Sequence, residues 1–302
     1  KAPLAMVGAK IGDTVIKAAK LRGVESNGML CSAKELGIDA DASGLLELPA
    51  DAPVGTPIAD YLGLPDAVIE LGLTPNRADC FSLRGVARDV AAATGTALAE
   101  QAIAPVQARS TATLDITLDA GADAPRYAGR VIEGIDAGAA TPLWMAERLR
   151  RSGIRPVSFL VDVTQYVMLE LGQPMHAYDY SLLAKHSIIV RRAVDGERLT
   201  TLDGIKRELN SEMLVIADAL QPVGLAGVMG GLATEVSAST KTVLLEAAAF
   251  YGPNVRRTSR GLGLRSEASG RFERGIDAAA IPLALDRAAQ LLSDMGACDV
   301  VP

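Results

Sequence analysis

The chain has 302 residues, of which 49% are hydrophobic and 4% aromatic, and it carries a net charge of −6 at pH 7. This balance excludes a protein coated with basic surface, so binding of nucleic acid must use a local basic face. Three widely spaced cysteines and two histidines argue against a disulfide framework and a transition-metal site, and favour a reducing, cytoplasmic compartment. No apolar run approaches the roughly 18 residues that a membrane-spanning helix needs.

The length suits two or three domains, and the first, residues 1–60, is predicted to be a small β-barrel. Short apolar runs alternate there with Gly, Asp and Pro, the residues that form turns between strands. Since the chain opens on Lys1 inside this strand-rich segment, we expect it to be an internal fragment whose barrel lacks its first part.

Residues 61–105 are predicted to be a small connecting module of helix and strand. Its helix is expected over residues 83–94, with Ser82 as the N-cap and Gly95 as the stop signal. Arginines and aspartates cluster around the start of this helix, which is typical of a solvated, salt-bridged surface. We therefore expect this module to be structural.

Residues 106–302 show alternating helix and strand patterns. The Asp-Gly pairs at residues 195–196 and 203–204 predict two hairpins, and a long helix is expected over residues 278–295. A buried strand is expected at residues 242–250, which are almost entirely apolar. We therefore predict an α+β fold in which helices pack on an antiparallel-rich sheet.

The first candidate functional residue is His176, which lies in the motif LGQPMHAYD at residues 171–179. The ordinary pKa of histidine lies near neutrality, so this side chain is the readiest general acid or base. Its turn-like context after a proline fits a functional residue. A lone histidine is, however, more often a hydrogen-bonded structural residue, so the motif alone leaves both interpretations open.

The second candidate is the glycine-rich segment GLAGVMGG at residues 224–231. Glycines let a backbone approach a ligand closely and expose N–H groups as donors. The segment is neither a P-loop, because no Gly-Lys-Ser or Gly-Lys-Thr follows, nor a dinucleotide-binding fingerprint. A tight β-turn between two strands explains the glycines equally well.

The third candidate is Glu246, a carboxylate within the apolar run of residues 243–249. Burying an unpaired carboxylate is costly, so Glu246 must be paired or must face a polar cavity. This makes it a candidate functional residue. The competing explanation is a buried ion pair with one of the arginines.

Residues 256–274 form a local basic stripe in this acidic chain, with six arginines against two glutamates. Arginine side chains suit the phosphates of RNA, whereas a salt-bridge network between strands would explain the same pattern. In the middle of the stripe, residues 266–269 (SEAS) have side chains small enough to wall a pocket. No nucleophile elbow is present, so the sequence does not indicate a covalent mechanism.

Several ordered motifs together resemble the β subunit of bacterial phenylalanyl-tRNA synthetase, or phenylalanine–tRNA ligase. They are LTPNRADC at residues 73–80, LGQPMHAY at 171–178, GG at 230–231, LLE at 244–246 and RFERGID at 271–277. The motifs KLRG at residues 20–23 and SNGMLC at residues 26–31 resemble the last part of the tRNA-binding OB-fold domain of that family.

The resemblance implies an aminoacyl-tRNA synthetase, an α2β2 heterotetramer that uses ATP and Mg²⁺ to charge phenylalanine tRNA in cytoplasmic protein biosynthesis. The synthetic site would belong to the α subunit, so this chain would need no cofactor or metal of its own and would contact no membrane. Its own activity would be editing, which is the hydrolysis of tyrosine mischarged onto phenylalanine tRNA. Residues 106–302 would be the editing domain.

The resemblance also implies roles for particular residues. Catalysis would involve His176, Thr164 and Gln165, the substrate would be bound by Glu246, Gly230, Ser266 and Ala268, and RNA by Arg256, Arg257 and Arg260. We expect Glu246 to accept a hydrogen bond from the tyrosine hydroxyl, which phenylalanine lacks. His176 would position or deprotonate the attacking water, with help from the ribose hydroxyl. Gly230 would let the backbone approach the ester, and Ala268 would leave room for the ring.

Two positions depart from the pattern of that family. Gln165 stands where asparagine is frequent, and Ser266 stands where threonine is expected. Both keep their polar capacity, but the longer Gln165 side chain is expected to alter the placement of water. The alternative interpretation is therefore a non-catalytic scaffold for tRNA binding and assembly, with a degenerate editing site. The net charge disfavours a free-standing nucleic-acid binder.

Overall fold

The computed structural model describes residues 1–38, 44–99 and 101–300. The chain divides into two compact units, Lys1–Ile69 and Glu70–Pro302. Helices and sheets both occur, so the predicted mixed α+β class is confirmed. The finer division of the chain at residues 60 and 105 stays a prediction. Within the described ranges, no helix combines the length and the apolar character needed to cross a membrane.

The first unit is built mainly from short strands. Its described elements are β1 (Leu4–Met6), β2 (Lys10–Ile11), β3 (Thr14–Val15), β4 (Ala19–Leu21), β5 (Val24–Ser26), β6 (Gly28–Leu30) and the short helix α1 (Ile58–Tyr61). Strand β1 pairs with β6, β2 with β3 and β4 with β5, all antiparallel. Ala5, Ile16 and Cys31 form a small core. The closure of these strands into a barrel stays a prediction.

The second unit contains most of the chain. Its helices are α2 (Leu83–Thr94), α3 (Leu143–Arg151), α4 (Phe159–Leu171), α5 (Gly252–Gly261), α6 (Glu267–Phe272) and α7 (Ile281–Asp294). Its strands are β7 (Asp115–Asp119), β8 (Arg126–Ile135), β9 (Met175–Asp179), β10 (Ser187–Arg192), β11 (Arg198–Thr200), β12 (Lys206–Glu208), β13 (Leu214–Ala217), β14 (Pro222–Leu225), β15 (Met229–Gly230), β16 (Thr242–Ala249) and β17 (Cys298–Val300). The two larger sheets have the strand orders β15–β14–β13–β10–β7 and β17–β8–β16–β9. Strands β7 and β10 are parallel, and the other paired strands of these sheets are antiparallel.

Strand β16 lies in the middle of the four-stranded sheet and is buried along nearly all its length. Because side chains alternate along a strand, its residues enter two different cores. Leu244 and Ala248 pack in the core shared with the five-stranded sheet. Val243 and Leu245 pack in the core formed with α3, α4 and α7. Glu246 belongs to the same face as Leu244 and Ala248, so its carboxylate points toward the side of the five-stranded sheet.

Local sequence signals predict the helices of this unit well where a cap is present. Helix α2 begins after Ser82, whose Oγ accepts a hydrogen bond from the Gly85 N–H at 3.0 Å, and it ends at Gly95 with φ of 67°. The last predicted helix is also present, as a single 3₁₀ turn followed by α7. The predicted antiparallel-rich sheet with packed helices is likewise confirmed.

One of the two predicted hairpins is wrong. The Asp-Gly pair at residues 203–204 does join β11 to β12. The turn at residues 195–196 forms, but β10 before it pairs with β13 and β7 rather than with β11. Strand β13 is buried along its whole length, whereas β11 offers a single buried residue. Burial of apolar surface therefore selects the longer apolar partner over the nearest one in sequence.

Candidate active site

The second unit encloses a cavity of about 220 Å³ between α4, β9, the β14–β15 hairpin, β16 and the start of α6. The structure brings every residue with a predicted catalytic or substrate-binding role to its wall. These residues are Thr164, Gln165, His176, Gly230, Glu246, Ser266 and Ala268. They come from five separate segments of the chain, so the fold rather than the sequence assembles the site. Their individual roles stay predictions.

Glu246 is the buried acid of this cavity. It lies opposite Gly129 of β8 and His176 of β9 in the sheet, and only 7% of its surface is exposed. Its Oε2 accepts hydrogen bonds from the hydroxyls of Tyr178, at 2.6 Å, and Tyr127, at 3.0 Å. Burial raises the pKa of Glu246 to about 7, although the two phenols partly oppose this.

The ion pair considered as the competing explanation for Glu246 is not formed. Among the described residues, no arginine or lysine forms a salt bridge with this carboxylate. The partners are the phenols of Tyr127 and Tyr178, which sequence reasoning missed. Tyr178 follows His176 by two residues and therefore faces the same side of β9, a signal that could have found it. For Tyr127, only the register of the sheet reveals the contact.

His176 presents a neutral imidazole to the cavity. Its ring packs edge-on against Tyr178, with centroids 4.5 Å apart and an interplanar angle of 82°. Its Nε2 is buried and has no hydrogen-bond partner in the described structure. Burial lowers the pKa of His176 to about 4, so the ring is neutral at pH 7 and is a weak base there. Such a nitrogen can accept a hydrogen bond from a water or a ligand hydroxyl.

Gly230 makes room for this imidazole. A Cβ atom at Gly230 would lie 2.4 Å from Cε1 and 2.5 Å from Nε2 of His176, which is closer than real Cβ atoms approach other heavy atoms. The glycine-rich segment is at the same time a tight antiparallel hairpin, with Gly227 at φ of 70° in its turn. The tight turn between two strands is therefore confirmed, and Gly230 is required by a side chain of the protein itself. Close approach of this backbone to a ligand stays a prediction.

The hydroxyls of Thr164 and Ser266 are engaged by the protein. Thr164 Oγ1 donates to the carbonyl of Val161 one helical turn earlier, at 2.7 Å. Ser266 caps α6 by accepting from the Ser269 N–H, and it donates to the carbonyl of Val228 in the glycine-rich hairpin, each at 3.0 Å. Ser266 therefore ties α6 to the hairpin and fixes the width of the cavity.

The arginines with a predicted role in RNA binding lie outside the cavity. Arg256, Arg257 and Arg260 are exposed on α5, and Arg257 forms a salt bridge with Glu212. Arg260 lines a second cavity of about 260 Å³ together with Arg265. Helix α6 contributes residues to both cavities: Glu267, Ala268 and Phe272 line the first, and Ser269 and Gly270 line the second.

Salt bridges account for two of the other three arginines of the basic stripe. Arg271 pairs with Glu267 and Arg274 with Glu273, and both guanidinium groups lie over the ring of Phe81. The sequence interpretation assumed a network between strands, whereas these salt bridges form within and at the end of helix α6. In the part of the chain that the structure describes, no group of three or more His, Cys, Asp or Glu side chains is placed to hold a metal ion.

The buried carboxyl predicts a pH-dependent stability. The pKa of Glu246 is about 7 in the folded chain, whereas an unfolded glutamate has its ordinary value near 4.3. The proton of Glu246 stabilises the folded chain fully when the pH is below the ordinary pKa of glutamate. This stabilisation is lost as the pH rises through about 7. We expect the unfolding free energy of wild type, relative to Glu246→Gln, to fall by about 2 kcal/mol between about pH 5.5 and pH 8.

Urea unfolding followed by fluorescence of Trp144, the one tryptophan of the sequence, measures this difference. His176 has the opposite effect on the pH dependence of the unfolding free energy, because its pKa in the folded chain lies below its ordinary value. The stabilisation by neutral His176 is lost as the pH falls below about 6.5. It is present in both proteins, so it cancels in the comparison. A difference that does not change with pH would show that Glu246 is charged and stable in its site.

Residues 123–297, more than half of the chain, match the family described as the B3/4 domain. The chain belongs to the B3/4 domain family. Preceding its B3/4 domain, residues 5–57 match a family described as a putative tRNA binding domain. The first match contains all seven residues of the cavity wall named above, and the second lies within the strand-rich first unit.

Several curated relatives of this B3/4 protein are named phenylalanine–tRNA ligase beta subunit. The chain is 61% identical over 298 residues to that of Xanthomonas oryzae pv. oryzae (strain MAFF 311018) and 60% identical over 295 residues to that of Xanthomonas campestris pv. campestris (strain 8004). It is 58% identical over 293 residues to that of Xylella fastidiosa (strain 9a5c). Each alignment covers 97% of this chain and 37% of the relative.

The resemblance inferred from the sequence motifs is thereby confirmed, and the chain spans a little over a third of the length of these curated relatives. A crystal structure of an N-terminal fragment of the phenylalanyl-tRNA synthetase beta-subunit from Pyrococcus horikoshii is a distant match, with 14% identity and a TM-score of 0.37. That match covers 64% of this chain and 59% of the other.

Proposed function

We propose that the B3/4 domain of this chain hydrolyses tyrosine mischarged onto phenylalanine tRNA, within the β subunit of a phenylalanine–tRNA ligase. The observation that carries this proposal is the pairing of a buried carboxylate with an unpartnered, neutral imidazole. Glu246 and His176 lie opposite each other on adjacent strands and face one cavity. The first group can recognise a substrate hydroxyl, and the second can hold a water.

Recognition of tyrosine rests on Glu246. Tyrosine and phenylalanine differ by one phenolic hydroxyl. A buried hydrogen-bond acceptor in the cavity therefore binds tyrosine, which carries this hydroxyl, more tightly than phenylalanine. A site built to bind a hydroxyl can reject the analogue that lacks it by a factor of about 10⁴, because the buried polar group is then left without its partner. Ala268 leaves space for the ring at the same wall, and Gly230 leaves space for the imidazole of His176.

Hydrolysis rests on the placement of water by His176. The free Nε2 accepts a hydrogen bond from the attacking water, whose oxygen then bonds to the ester carbonyl carbon while the ester bond to the ribose breaks. With a pKa of about 4, His176 holds the water better than it removes its proton. The proton therefore passes to the leaving ribose oxygen, assisted by the neighbouring ribose hydroxyl.

The names of the relatives support a proposal about the wider assembly. We place the synthetic reaction, with its ATP and Mg²⁺, in an α subunit that forms an α2β2 heterotetramer with this β subunit in the cytoplasm. The first unit, with its antiparallel strand pairs and its match to a putative tRNA binding domain, would be the OB-fold module that contacts tRNA. The residues of the second unit would then receive the aminoacyl end.

A second candidate function is a scaffold that binds tRNA but hydrolyses nothing. Two observations favour it: His176 is a weak base at neutral pH, and the hydroxyls of Thr164 and Ser266 are bound to backbone carbonyls. Deacylation of tyrosine from phenylalanine tRNA separates the two functions. An editing domain clears this ester faster than the phenylalanine ester, whereas a scaffold leaves both at the spontaneous rate.

The exposed arginines of α5 yield a prediction about RNA binding. Arg260 has no acidic partner among the described residues, whereas Arg257 is engaged by Glu212. We expect Arg260→Gln to weaken tRNA binding and to reduce the slope of log affinity against log salt by about 0.7 to 0.9, the value of one lost phosphate contact. Fluorescence anisotropy with labelled tRNA over a salt series measures both quantities.

Arg257→Gln is the matched control, because the same helix loses the same side chain at a position where the charge is already neutralised. Its effect on the salt slope should be smaller than that of Arg260→Gln. If Arg257→Gln changed the salt slope as much as Arg260→Gln or more, α5 would not contact the RNA through its unpaired arginines.

A further inference from the structure

Two tyrosines flank Glu246 symmetrically in the four-stranded sheet. Tyr127 of β8 lies opposite Ala248, and Tyr178 of β9 lies opposite Leu244, so each is displaced by two residues along β16 from Glu246, in opposite directions. Residues that are two apart share a face of the sheet, so both phenol rings lie on the face of the carboxylate. They reach it from the two neighbouring strands.

Both phenols donate to the same carboxylate oxygen. Tyr178 and Tyr127 bond to Oε2, while Oε1 accepts no hydrogen bond from the described residues. Two donors from opposite directions leave the carboxylate little freedom to rotate, because rotation would break buried hydrogen bonds. The remaining lone pairs of Glu246 are therefore available to a ligand in the cavity that it lines.

We infer that Tyr127 and Tyr178 are positioning residues for substrate selection: by holding Oε2, they fix Oε1 of Glu246 as the acceptor for a ligand hydroxyl. This inference rests on the proposed function and deepens it. Tyr178 has a second contact, since its ring packs against that of His176. It therefore joins the group that selects the amino acid to the group that holds the water.

The inference predicts a displaced pH profile. The titratable groups that face Glu246 are Tyr127 from β8 and Tyr178 and His176 from β9, while Glu267 of α6 lines the same cavity and is paired with Arg271. Of these, the two phenols lower the pKa of Glu246 against the effect of burial. Removing one phenol raises that pKa above about 7, so the carboxyl is protonated at neutral pH and no longer accepts as an anion.

The test uses the full chain with Tyr178→Phe or Tyr127→Phe, which delete one hydroxyl and keep the ring. Tyr180→Phe is the matched control, because its hydroxyl donates to the carbonyl of Thr113 outside the cavity. Calorimetry with L-tyrosine and L-phenylalanine as probes gives the binding preference, measured from neutral to alkaline pH. The infrared carboxyl band of Glu246, identified by difference from Glu246→Gln, gives its titration midpoint.

We expect both cavity variants to lose about tenfold of the preference for L-tyrosine at neutral pH, and to regain part of it at alkaline pH. Their carboxyl band should titrate at a higher pH than in wild type, and Tyr180→Phe should match wild type in both measurements. A preference and a midpoint that do not move in either variant would overturn the inference. An equal loss of binding for both amino acids would also overturn it, because that result shows a purely structural role.

The inference and the proposed function can fail separately. If wild type prefers L-tyrosine and the variants lose this preference, the positioning role stands even when no ester is hydrolysed. If wild type binds the two amino acids equally, the positioning role is overturned even when both esters are hydrolysed. Deacylation of the tRNA esters is therefore measured on the same preparations.

Discussion

Glu246→Ala is expected to reduce the preference of this chain for tyrosine esters by on the order of 100-fold. This is the effect of losing one hydrogen bond to a charged group. The substitution removes the acceptor for the substrate hydroxyl and also leaves the phenols of Tyr127 and Tyr178 without their acceptor. The ratio of kcat/KM for tyrosine and phenylalanine esters of phenylalanine tRNA measures the effect. Glu246→Gln, which keeps an acceptor oxygen, should retain part of the preference.

Glu208→Ala is a suitable control, since this exposed glutamate lies on the β11–β12 hairpin outside the cavity. It should leave the ratio unchanged. If Glu246→Ala kept the wild-type ratio while remaining folded, the carboxylate would not be the group that recognises the hydroxyl. The discriminating group would then have to be sought elsewhere on the cavity wall.

Gly230→Ala is expected to reduce hydrolysis of the tyrosine ester by on the order of 100-fold, because misplacement of an active-site group by about 1 Å can cost that much. Its new Cβ would occupy the space of the His176 ring, at 2.4 Å from Cε1. The imidazole must therefore move, and its free Nε2 no longer points to the same place. Single-turnover deacylation measures the loss directly.

Gly261→Ala provides the matched control. A Cβ at this position, the last residue of α5, meets no atom within 4 Å, so the same chemical change is made in open space. We expect it to preserve hydrolysis. Retention of wild-type hydrolysis by Gly230→Ala would contradict a role for the observed imidazole position. Melting temperatures of both variants separate loss of the site from loss of the fold.

Sequence reasoning could reach the residues of the cavity because their chemistry is unusual for their surroundings. A carboxylate in an apolar run must be paired or face a cavity, and Glu246 does both. The dense glycines likewise predicted either a close approach to a ligand or a tight turn, and the turn is present. The sequence did not indicate that Gly230 makes room for His176.

The partners of these residues could not be found in the same way. The sequence interpretation assigned Glu246 an arginine as its alternative partner, but the partners are Tyr127 and Tyr178. These contacts depend on the register of β16 against two strands that lie about 70 and 120 residues away in sequence. Register is fixed by the packing of the whole sheet, so no local pattern reports it.

The fold shows the same division between local and distant determinants. Helix α2 is visible in the sequence because Ser82 and Gly95 mark its ends. Helix α4 is not visible in the same way, because it is buried on several sides and lacks the polar stripe of a surface helix. The partner of β10 was missed since burial of β13, and not the nearby turn, decides the pairing.

The most direct test of the editing proposal is deacylation of tyrosine and of phenylalanine from phenylalanine tRNA by wild-type protein, assembled in its ligase. Both esters are followed at neutral pH beside a blank without enzyme. The proposal predicts that the tyrosine ester is cleared faster than in the blank and faster than the phenylalanine ester. If neither ester is cleared above the blank, the cavity around Glu246 and His176 does not hydrolyse aminoacyl esters, and this chain acts as a scaffold.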